Sequence, residues 1–377
     1  MEYRKFNEKW KKCKLYDLAT WKNGLAFKQI SFSNKGYPII KIAELKNGIT
    51  KQTNYTKQNY DKDVFLRYDD LVFSWSGNPE TSIDAFLYRL PDGYLNQHIF
   101  KVTSKEGIDK YFLYYILKYL KPAFKSIATN KQTTGLGHVT IGNLKEMDVA
   151  IPNYIIQRKI MKILKNIDDK IELNSKINNN LYEVGIELLK NDFILEKGME
   201  TLSQVIKFVK GKKPSDISTN KQVGYEKYLT IACLNGQELN YADTNKMIMS
   251  NNDLLMVMDG ASSGEVYSGG HGIVGSTLAR IDCTDNNYIS EFIFFCLKYY
   301  KDLIQSKNTG SAIPHTDKVF VGSLEIPKIN IEKQEKYNVL LSKIQHNQNE
   351  NKTLENLRNA LLPKLMNGEI DLDKIEI

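Results

Sequence analysis

The sequence lacks the features of a secreted, membrane-spanning or zinc-binding protein. No C-x-x-C pair occurs, and none of the cysteines lies near a histidine at the spacing of zinc ligands. The first residues contain no apolar signal segment. The longest apolar runs, around Phe112–Leu117 and Phe292–Leu297, are far shorter than the roughly 20 residues that a membrane span needs. We therefore expect a soluble, cytoplasmic protein that makes no membrane contact.

Several of the usual catalytic signatures are also missing. The chain has no G-x-x-x-x-G-K-[ST] phosphate loop and no H-E-x-x-H. Asn78-Pro79-Glu80 begins like the Asn-Pro-Pro-aromatic motif of adenine methyltransferases, but Glu80 replaces the second proline, so we interpret the segment as a turn. The histidines suggest no acid–base cluster: His98, His138, His271, His315 and His346. We expect the chain itself to catalyse no reaction.

Length and charge favour a multidomain protein with a polyanionic partner. At 377 residues the chain is too long for one ordinary domain, and its 42% hydrophobic residues are sufficient for real cores. Lys and Arg number 52 against 44 Asp and Glu, which gives a formal charge of +8. This balance favours nucleic acid as a partner, although many proteins without such a partner share it.

The most informative feature is an internal duplication. Several segments of the first half match segments of the second half in the same order, and the offset between them drifts only slightly. The matched pairs are Leu15–Gly24 with Leu202–Gly211, Ile39–Leu45 with Tyr228–Leu234, DDLVFS with NDLLMV, YFLYYILKYLK with EFIFFCLKYYK, and the two stretches that end at Pro152 and Pro327.

Each copy is predicted to contain a globular part followed by a long helix. The globular parts combine short strands with one amphipathic helix, at Asp109–Phe124 and at Tyr288–Ile304, and Pro122 is expected to end or kink the first. From Tyr154 to Phe193, apolar residues recur every three or four positions, which predicts a helix on the order of 60 Å long.

The two long helices are predicted to pack against each other in antiparallel orientation. The first apolar stripe contains Asn174 and Asn178, and the second contains Gln348 and Asn351, with Pro363 and Gly368 marking its end. Buried polar residues in a helix pair cost stability but fix its register. A generic dimerising coiled coil is the simpler alternative, but it does not explain why each helix follows a diverged globular unit.

The predicted fold class is therefore α+β, with a pseudo-two-fold arrangement. Mixed globular domains at 1–153 and 195–328 alternate with the spacer helices at 154–194 and 329–377, the last including a C-terminal tail. Since DNA repeats about every 34 Å, such helices would separate two DNA-reading domains by one to two turns.

Candidate DNA contacts are loops that carry donors at equivalent places in both copies. Any single loop is more often an ordinary turn, and a run of lysines is more often a solvated surface. The candidates are Lys12, Lys14, Ser74, Ser76, Asn78, Asn96, Gln97, His98, Lys131, Gln132 and Thr133 in the first copy, and Lys210, Lys212, Lys213, Ser262, Ser263, Lys307, Asn308, Thr309 and Ser311 in the second.

The junction TIGNLKEMDVAIPNYIIQRKIMKIL resembles the specificity subunits of type I restriction-modification systems, in which a recognition domain ends in Ile-Pro and a Gln opens the spacer helix. Gln157 matches that Gln, and VGSLEIPKINIEKQEKYNVLL repeats the junction with Gln334. The C-terminal LLPKLMNGEI is also typical of the family. Ile156 and Lys333 depart from the usual Glu before the Gln, and Asn153 and Lys328 replace the usual proline after Ile-Pro.

The resemblance implies two target-recognition domains that each read half of a split, asymmetric DNA sequence. The helices would set the gap and dock two methyltransferase subunits, and restriction subunits would join the larger assembly. S-adenosylmethionine, and ATP with Mg, would be bound by those partners and not by this chain. The residues expected to pack the helices or contact a partner subunit are Gln157, Ile160, Leu164, Ile167, Gln334, Tyr337, Leu341 and Ile344.

Two other functions remain open at this stage. A stand-alone nucleic-acid-modifying enzyme would need a cofactor pocket in the chain itself. A two-headed coiled-coil adaptor for proteins would make the basic charge incidental, and sequence-specific DNA protection would exclude it.

Overall fold

Short strands and helices alternate along each copy, and one long helix follows each globular part. The computed structural model describes residues 10–130, 136–310 and 313–372. The chain divides into unit 1, which comprises Met1–Lys170 and Thr353–Ile377, and unit 2, which comprises Ile171–Lys352. Each unit therefore contains one globular part together with a segment of both long helices.

The first copy is built from short strands and three helices. The strands are β1 (Lys11–Lys14), β2 (Ala19–Asn23), β3 (Tyr37–Ile40), β4 (Tyr55–Thr56), β5 (Phe65–Leu66), β6 (Leu71–Ser74), β7 (Ser76–Gly77), β8 (Asp84–Leu87), β9 (Gly93–Leu95), β10 (Ile99–Ser104), β11 (Gly137–His138) and β12 (Asp148–Ile151). The helices are α1 (Ile42–Asn47), α2 (Lys110–Asn130) and α3 (Ile141–Glu146), and the long helix α4 (Tyr154–Leu195) follows.

The second copy repeats this order. Its strands are β13 (Met199–Thr201), β14 (Ile206–Lys210), β15 (Ile217–Ser218), β16 (Tyr225–Leu229), β17 (Tyr241–Asp243), β18 (Met249–Asn251), β19 (Leu254–Val257), β20 (Val266–Ser268), β21 (His271–Val274), β22 (Leu278–Cys283) and β23 (Glu325–Pro327). Its helices are α5 (Leu202–Val205), α6 (Ile231–Leu234), α7 (Ser290–Tyr299), α8 (Lys301–Ser306), α9 (Lys318–Ser323) and the long α10 (Ile331–Met366).

The sheets confirm the duplication strand by strand. Unit 1 contains an antiparallel sheet of order β2-β10-β6-β8, and unit 2 contains the matching sheet β14-β22-β19-β20. A strand pair leads into each long helix, β1-β12 in one copy and β13-β23 in the other. A parallel pair recurs as β3-β9 and β16-β21. The predicted α+β class with duplicated domains and long helices is thus confirmed.

The helix that packs on each sheet carries several of the core aromatics. Phe112 and Phe124 of α2 are fully buried, as are Phe292 and Phe295 of α7. Each such side chain gains about 2–3 kcal/mol from leaving water.

Helix ends differ from the prediction where burial outweighs local sequence preference. Helix α2 continues through Pro122 to Asn130, because Phe124 and Ala128 beyond the proline are buried. Helix α10 likewise runs through Pro363 to Met366, and Gly368 follows at a φ of +67°. The single helix expected at Tyr288–Ile304 is instead two helices, α7 and α8, separated at Tyr300.

The long helices run antiparallel within each unit. In unit 1, Asp168 of α4 accepts hydrogen bonds from Arg358 of α10 and from Tyr115 of α2, both at 2.7 Å. In unit 2, Asn347 Nδ2 donates to Asn178 Oδ1 at 2.8 Å. The bond from Tyr115 also joins α4 to the globular part of unit 1.

Four polar residues were predicted to lie on the apolar stripes of the long helices, and the prediction is correct for three of them. Asn174 and Asn178 are buried, and Asn351 is partly buried. Gln348 is exposed, and its neighbour Asn347 is the buried polar residue. The stripe continues from Ile344 by three positions and not by four, which brings residue 347 against Asn178.

Candidate nucleic-acid interface

Four chain segments meet at one end of the four-stranded sheet of unit 1. Asn23 ends β2, Trp75 follows β6, His98 precedes β10 and His138 ends β11. The indole Nε1 of Trp75 donates to Asn23 Oδ1 at 2.9 Å. The centroid of the Trp75 ring lies 5.3 Å from that of His98 and 5.9 Å from that of His138. The result is an aromatic cluster.

Three of these segments have counterparts in unit 2 that meet through charged side chains. Asp259, just after β19, forms an ion pair with Lys210 at the end of β14, with 3.0 Å between Nζ and Oδ2. Its Oδ1 atom lies 2.7 Å from Nδ1 of His315. Asp259 and His315 are also joined by a backbone bridge.

Backbone hydrogen bonds show that these two clusters are equivalent. The amide of Val139 donates to the carbonyl of Trp75, and the amide of Thr316 donates to that of Met258, both at 2.8 Å. His138 and His315 each precede one of these donors, so they occupy the same position in the two copies.

The strand ends leading into the clusters are fixed by glycine in both units. Gly24 donates to Ile99 at 3.0 Å and Gly211 donates to Leu278 at 2.9 Å. A Cβ at Gly24 would lie 2.1 Å from the Asn96 carbonyl oxygen, and one at Gly211 would lie 2.2 Å from that of Gly275. No side chain fits at either position, so both positions require glycine and the ends of β2 and β14 have the same close backbone approach.

Electrostatics differ between the clusters. Burial, and secondarily repulsion from His138, lowers the pKa of His98, so its imidazole is held neutral. Burial alone would raise the pKa of Asp259, but its hydrogen bonds to His315 and Lys210 outweigh that effect and keep the pKa below its usual value. Unit 1 therefore presents a neutral imidazole at His98, whereas unit 2 presents an ionised carboxylate that contacts Lys210 and His315.

The predicted contacts of unit 1 fall into exposed and buried groups. Ser74 and Ser76 are buried, so in this conformation they line the cluster from inside. Asn78 is exposed, but its Oδ1 accepts from the amide of Glu80 at 2.9 Å, which makes Asn78-Pro79-Glu80 a turn as predicted.

The polar triplet before β10 is more accessible. Gln97 is exposed and Asn96 is half-buried. His98 adopts a φ of +80°, which is uncommon for a residue with a side chain. The candidates Lys131, Gln132 and Thr133 lie outside the described residues.

The lysines predicted near the start of the chain lie elsewhere in unit 1. Lys12 and Lys14 are in β1, which pairs with β12 ahead of α4 and not with the four-stranded sheet. Lys14 forms an ion pair with Asp148 at 2.7 Å, while Lys12 is exposed. The structure does not bring them to the Trp75 cluster.

In unit 2, several predicted contacts shape the loop. Ser263 is fully buried, and its Oγ donates to the carbonyls of Gly260 and Pro314. Asn308 Nδ2 donates to the carbonyl of Ser263 at 3.1 Å, and Thr309 bridges to His315 through the backbone. These residues hold the loop beside the charged cluster.

The remaining candidates of unit 2 differ in accessibility. Lys212, Lys213 and Lys307 are exposed, and Ser262 is half-buried. Ser311 lies outside the described residues.

All residues expected on the helices lie in the core of the chain itself. Gln157, Ile160, Leu164, Ile167, Gln334, Tyr337, Leu341 and Ile344 are each at most 9% exposed. They pack the helices internally, so a partner subunit that docks on this form of the chain would contact other, exposed residues.

The two glutamines have the same structural role. Gln157 accepts from the amide of Asp109 at 3.0 Å and donates to two carbonyls, those of Gly107 and Pro152. Gln334 accepts from the amide of Ile289 at 2.9 Å and donates to Asn287 and Ile329. Each therefore fastens the start of the sheet-packing helix to the start of the long helix.

Sequence reasoning missed Trp75, Asp259, His138 and His315 as members of the clusters. Both histidines lie two residues before the N-cap of a short helix, Thr140 in one copy and Asp317 in the other. An alignment anchored on the two Ile-Pro pairs does not match these histidines. The stretch from His138 to Pro152 is two residues longer than the stretch from His315 to Pro327.

Among the described residues, no group of three or more histidine, cysteine or acidic side chains is placed to hold a metal ion. Within the same part of the chain, no helix combines the length and apolar character needed to cross a bilayer.

Comparison with known proteins identifies the family. The profile of the type I restriction modification DNA specificity domain matches residues 7–183 and, a second time, residues 196–359. The chain belongs to this family. The resemblance inferred from the junctions around Gln157 and Gln334 is thereby confirmed.

Relatives in this family share limited sequence identity with the chain. The MjaVIII specificity subunit of Methanocaldococcus jannaschii is 32% identical over 144 residues, which are 37% of this chain and 34% of that one. The putative MjaX specificity subunit of the same organism is 23% identical over 96% of this chain and 94% of its own.

A solved structure has the same fold. The S subunit of a type I restriction-modification system from M. genitalium covers 95% of this chain and 97% of its own, with a TM-score of 0.56 and 18% identity. At this identity the similarity concerns the fold alone.

Proposed function

We propose that this chain is the DNA sequence-specificity subunit of a type I restriction-modification complex, in which it is the non-catalytic component. Unit 1 would bind one half of a split, asymmetric DNA target and unit 2 the other half. The observation that supports this most strongly is the pair of equivalent clusters, which occupy the same place in both sheets but differ in chemistry.

The difference in chemistry is what an asymmetric target requires. Trp75, His98 and His138 offer aromatic surface and imidazole nitrogens, whereas Lys210 and Asp259 offer a charged donor and acceptor beside His315. In the major groove each base pair presents its own pattern of donors and acceptors, and one good contact discriminates by about 1–3 kcal/mol. Equivalent segments that carry unlike side chains would therefore select unlike half-sites.

Affinity and positioning would come from the phosphates. Exposed lysines beside the clusters, Lys212 and Lys213 in unit 2 above all, are suited to phosphate contacts that are blind to sequence and sensitive to salt. The long helices would set the unread gap between the half-sites, and their exposed faces would dock two methyltransferase subunits and, where present, restriction subunits.

Cofactor chemistry would belong to those partners. S-adenosylmethionine would be bound by the methyltransferase subunits, and ATP with Mg by restriction subunits. The target adenine must leave the base stack to be methylated, so this chain would hold the duplex while a partner extrudes the base.

The experiment that tests this function is a genome-wide map of adenine methylation in the native host, with the chain present and with it deleted. We expect methylation at one split, asymmetric motif only when the chain is present. A motif that persists without the chain would overturn the proposal, as would binding of S-adenosylmethionine by the isolated chain.

A further inference from the structure

His138 and His315 hold the same backbone position in the two units, directly beside the loop that follows β6 or β19. We propose that these two histidines are specificity-determining residues, each contacting a base edge in the half-site of its own unit. This inference rests on the proposed function and adds the particular side chain in each unit that selects a base.

His315 is oriented for such a contact. Its side chain is 50% exposed, while its Nδ1 atom is held 2.7 Å from the Asp259 carboxylate. Since an ionised carboxylate only accepts hydrogen bonds, Nδ1 carries a proton and Nε2 is the nitrogen left for a ligand. A neutral Nε2 accepts from the amino group of adenine or cytosine, whereas a protonated one donates to guanine.

The carboxylate that orients His315 is itself fixed. Asp259 also pairs with Lys210, so the carboxylate that holds the ring is tied to the ends of two strands of one sheet, β14 and β19. Because the ion pair already orients the His315 side chain, a base contact would lose less side-chain entropy on binding.

His138 occupies a different environment, in which Nδ1 is buried and Nε2 is the ring nitrogen left for a base. Within the described part of the chain, the Nδ1 atoms of His98 and His138 and the hydroxyl of Ser74 are buried without a hydrogen-bond partner. Buried polar atoms normally have partners, and leaving one unsatisfied is unfavourable. Trp75 packs beside both rings and adds apolar surface suited to a thymine methyl group.

The test replaces each histidine in the host chromosome and maps adenine methylation. We expect His315→Gln to relax the motif at one position of a single half-site, and His138→Gln to relax one position of the other half-site. His346→Gln and His271→Gln, at exposed histidines outside the clusters, serve as matched controls and leave the motif unchanged. Asp259→Asn is a second variant that keeps the shape of the cluster, and we expect it to affect the same half-site as His315→Gln.

The outcomes separate this inference from the proposed function. If the wild-type chain directs no split motif, the proposed function fails. If the wild-type motif exists but His315→Gln and His138→Gln both leave it unchanged, only this inference is overturned. Loss of methylation at both half-sites by a single variant that still folds, as judged by circular dichroism, would also overturn it, because such a residue would act on assembly.

Discussion

Asn174 and Asn351 hold the same position in the two long helices and hydrogen-bond to each other, with 2.9 Å between Nδ2 of Asn174 and Oδ1 of Asn351. Each lies at the same sequence distance from its helix-opening glutamine, Gln157 or Gln334. Asn174 also donates to Glu350 at 2.7 Å. Two copies of one residue that contact each other define a single antiparallel register, so this pair fixes how the helices align.

Replacing one partner of this pair should cost more than replacing both. We expect Asn174→Leu to lower the free energy of unfolding by about 1–3 kcal/mol, because Oδ1 of Asn351 loses the hydrogen bond that Asn174 donates to it. The double variant Asn174→Leu with Asn351→Leu should recover stability, since an apolar pair suits the stripe. Urea unfolding checks this, with the exposed Asn179→Leu as control. A double variant less stable than the single one would contradict the register role.

The two helix-opening glutamines should stabilise their units by similar amounts. Replacement of Gln157 by Leu removes three hydrogen bonds at once, and we expect a loss of about 3 kcal/mol. Tryptophan fluorescence reports unit 1, because all the tryptophans lie there: Trp10, Trp21 and Trp75.

The unfolding midpoint by fluorescence should therefore fall for Gln157→Leu. The midpoint by far-ultraviolet circular dichroism should fall for Gln334→Leu, which removes the equivalent bonds in unit 2. Exposed Gln52→Leu and Gln222→Leu are controls. Wild-type stability in both glutamine variants would show that these hydrogen bonds contribute little.

Acid should remove the contribution of Asp84 to the stability of unit 1. The carboxylate is 12% exposed, lies 2.8 Å from Lys118 Nζ and also pairs with Lys121. Burial alone would raise its pKa, but the two lysines outweigh burial and hold the pKa below its usual value. A depressed pKa stabilises the fold above the unfolded value of about 3.9, and this contribution is lost as pH falls through the folded value.

We expect Asp84→Asn to be less stable than wild type by about 2 kcal/mol near neutral pH. This difference should close as pH falls below about 4, because the wild-type carboxylate is then protonated. Urea unfolding followed by tryptophan fluorescence at a series of pH values measures it. A difference that stays constant into strong acid would mean that the charge of Asp84 is not what stabilises unit 1.

Lys212 and Lys213 should contribute to DNA binding irrespective of sequence. Replacing both by Gln should weaken binding to every duplex and reduce the slope of log K against log salt by about 2. Exposed Lys343 and Lys352 of α10, replaced in the same way, remove equal charge at a distance in sequence from the clusters. A salt slope that changes equally in both double variants would argue against phosphate contacts at Lys212 and Lys213.

The duplication and the long helices were predictable because both rest on patterns that extend over many residues. The matched segments and the apolar stripes each average over dozens of side chains, so one misleading residue matters little. Helix ends were less predictable: Pro122 and Pro363 disfavour helix locally, but burial of neighbouring side chains overrides them. The prediction that Gln348 is the buried polar residue was wrong for a related reason. A shift of one residue along a helix is enough to turn a side chain from the buried face to the exposed face, and the buried residue is Asn347.

The clusters themselves were only partly predictable. The loops after β6 and β19 were identified from their equivalent placement, but the side chains that meet there come from four separate segments. Trp75 and His98 are distant in sequence from His138, and only strand pairing brings them together. The solvent exposure of individual loop side chains could not be predicted from the sequence either. Ser74 and Ser263 were therefore predicted as DNA contacts although both are buried.

The central claim is that the two units bind half-sites while the long helices set their spacing. Seven residues inserted between Asn174 and Ser175, and seven more between Glu350 and Asn351, would lengthen both helices by about 10 Å and keep the apolar stripes in phase. The methylation map of a strain carrying this variant should show both half-sites unchanged and a gap about three base pairs longer. An unchanged gap, or a changed half-site sequence in a folded variant, would contradict the account.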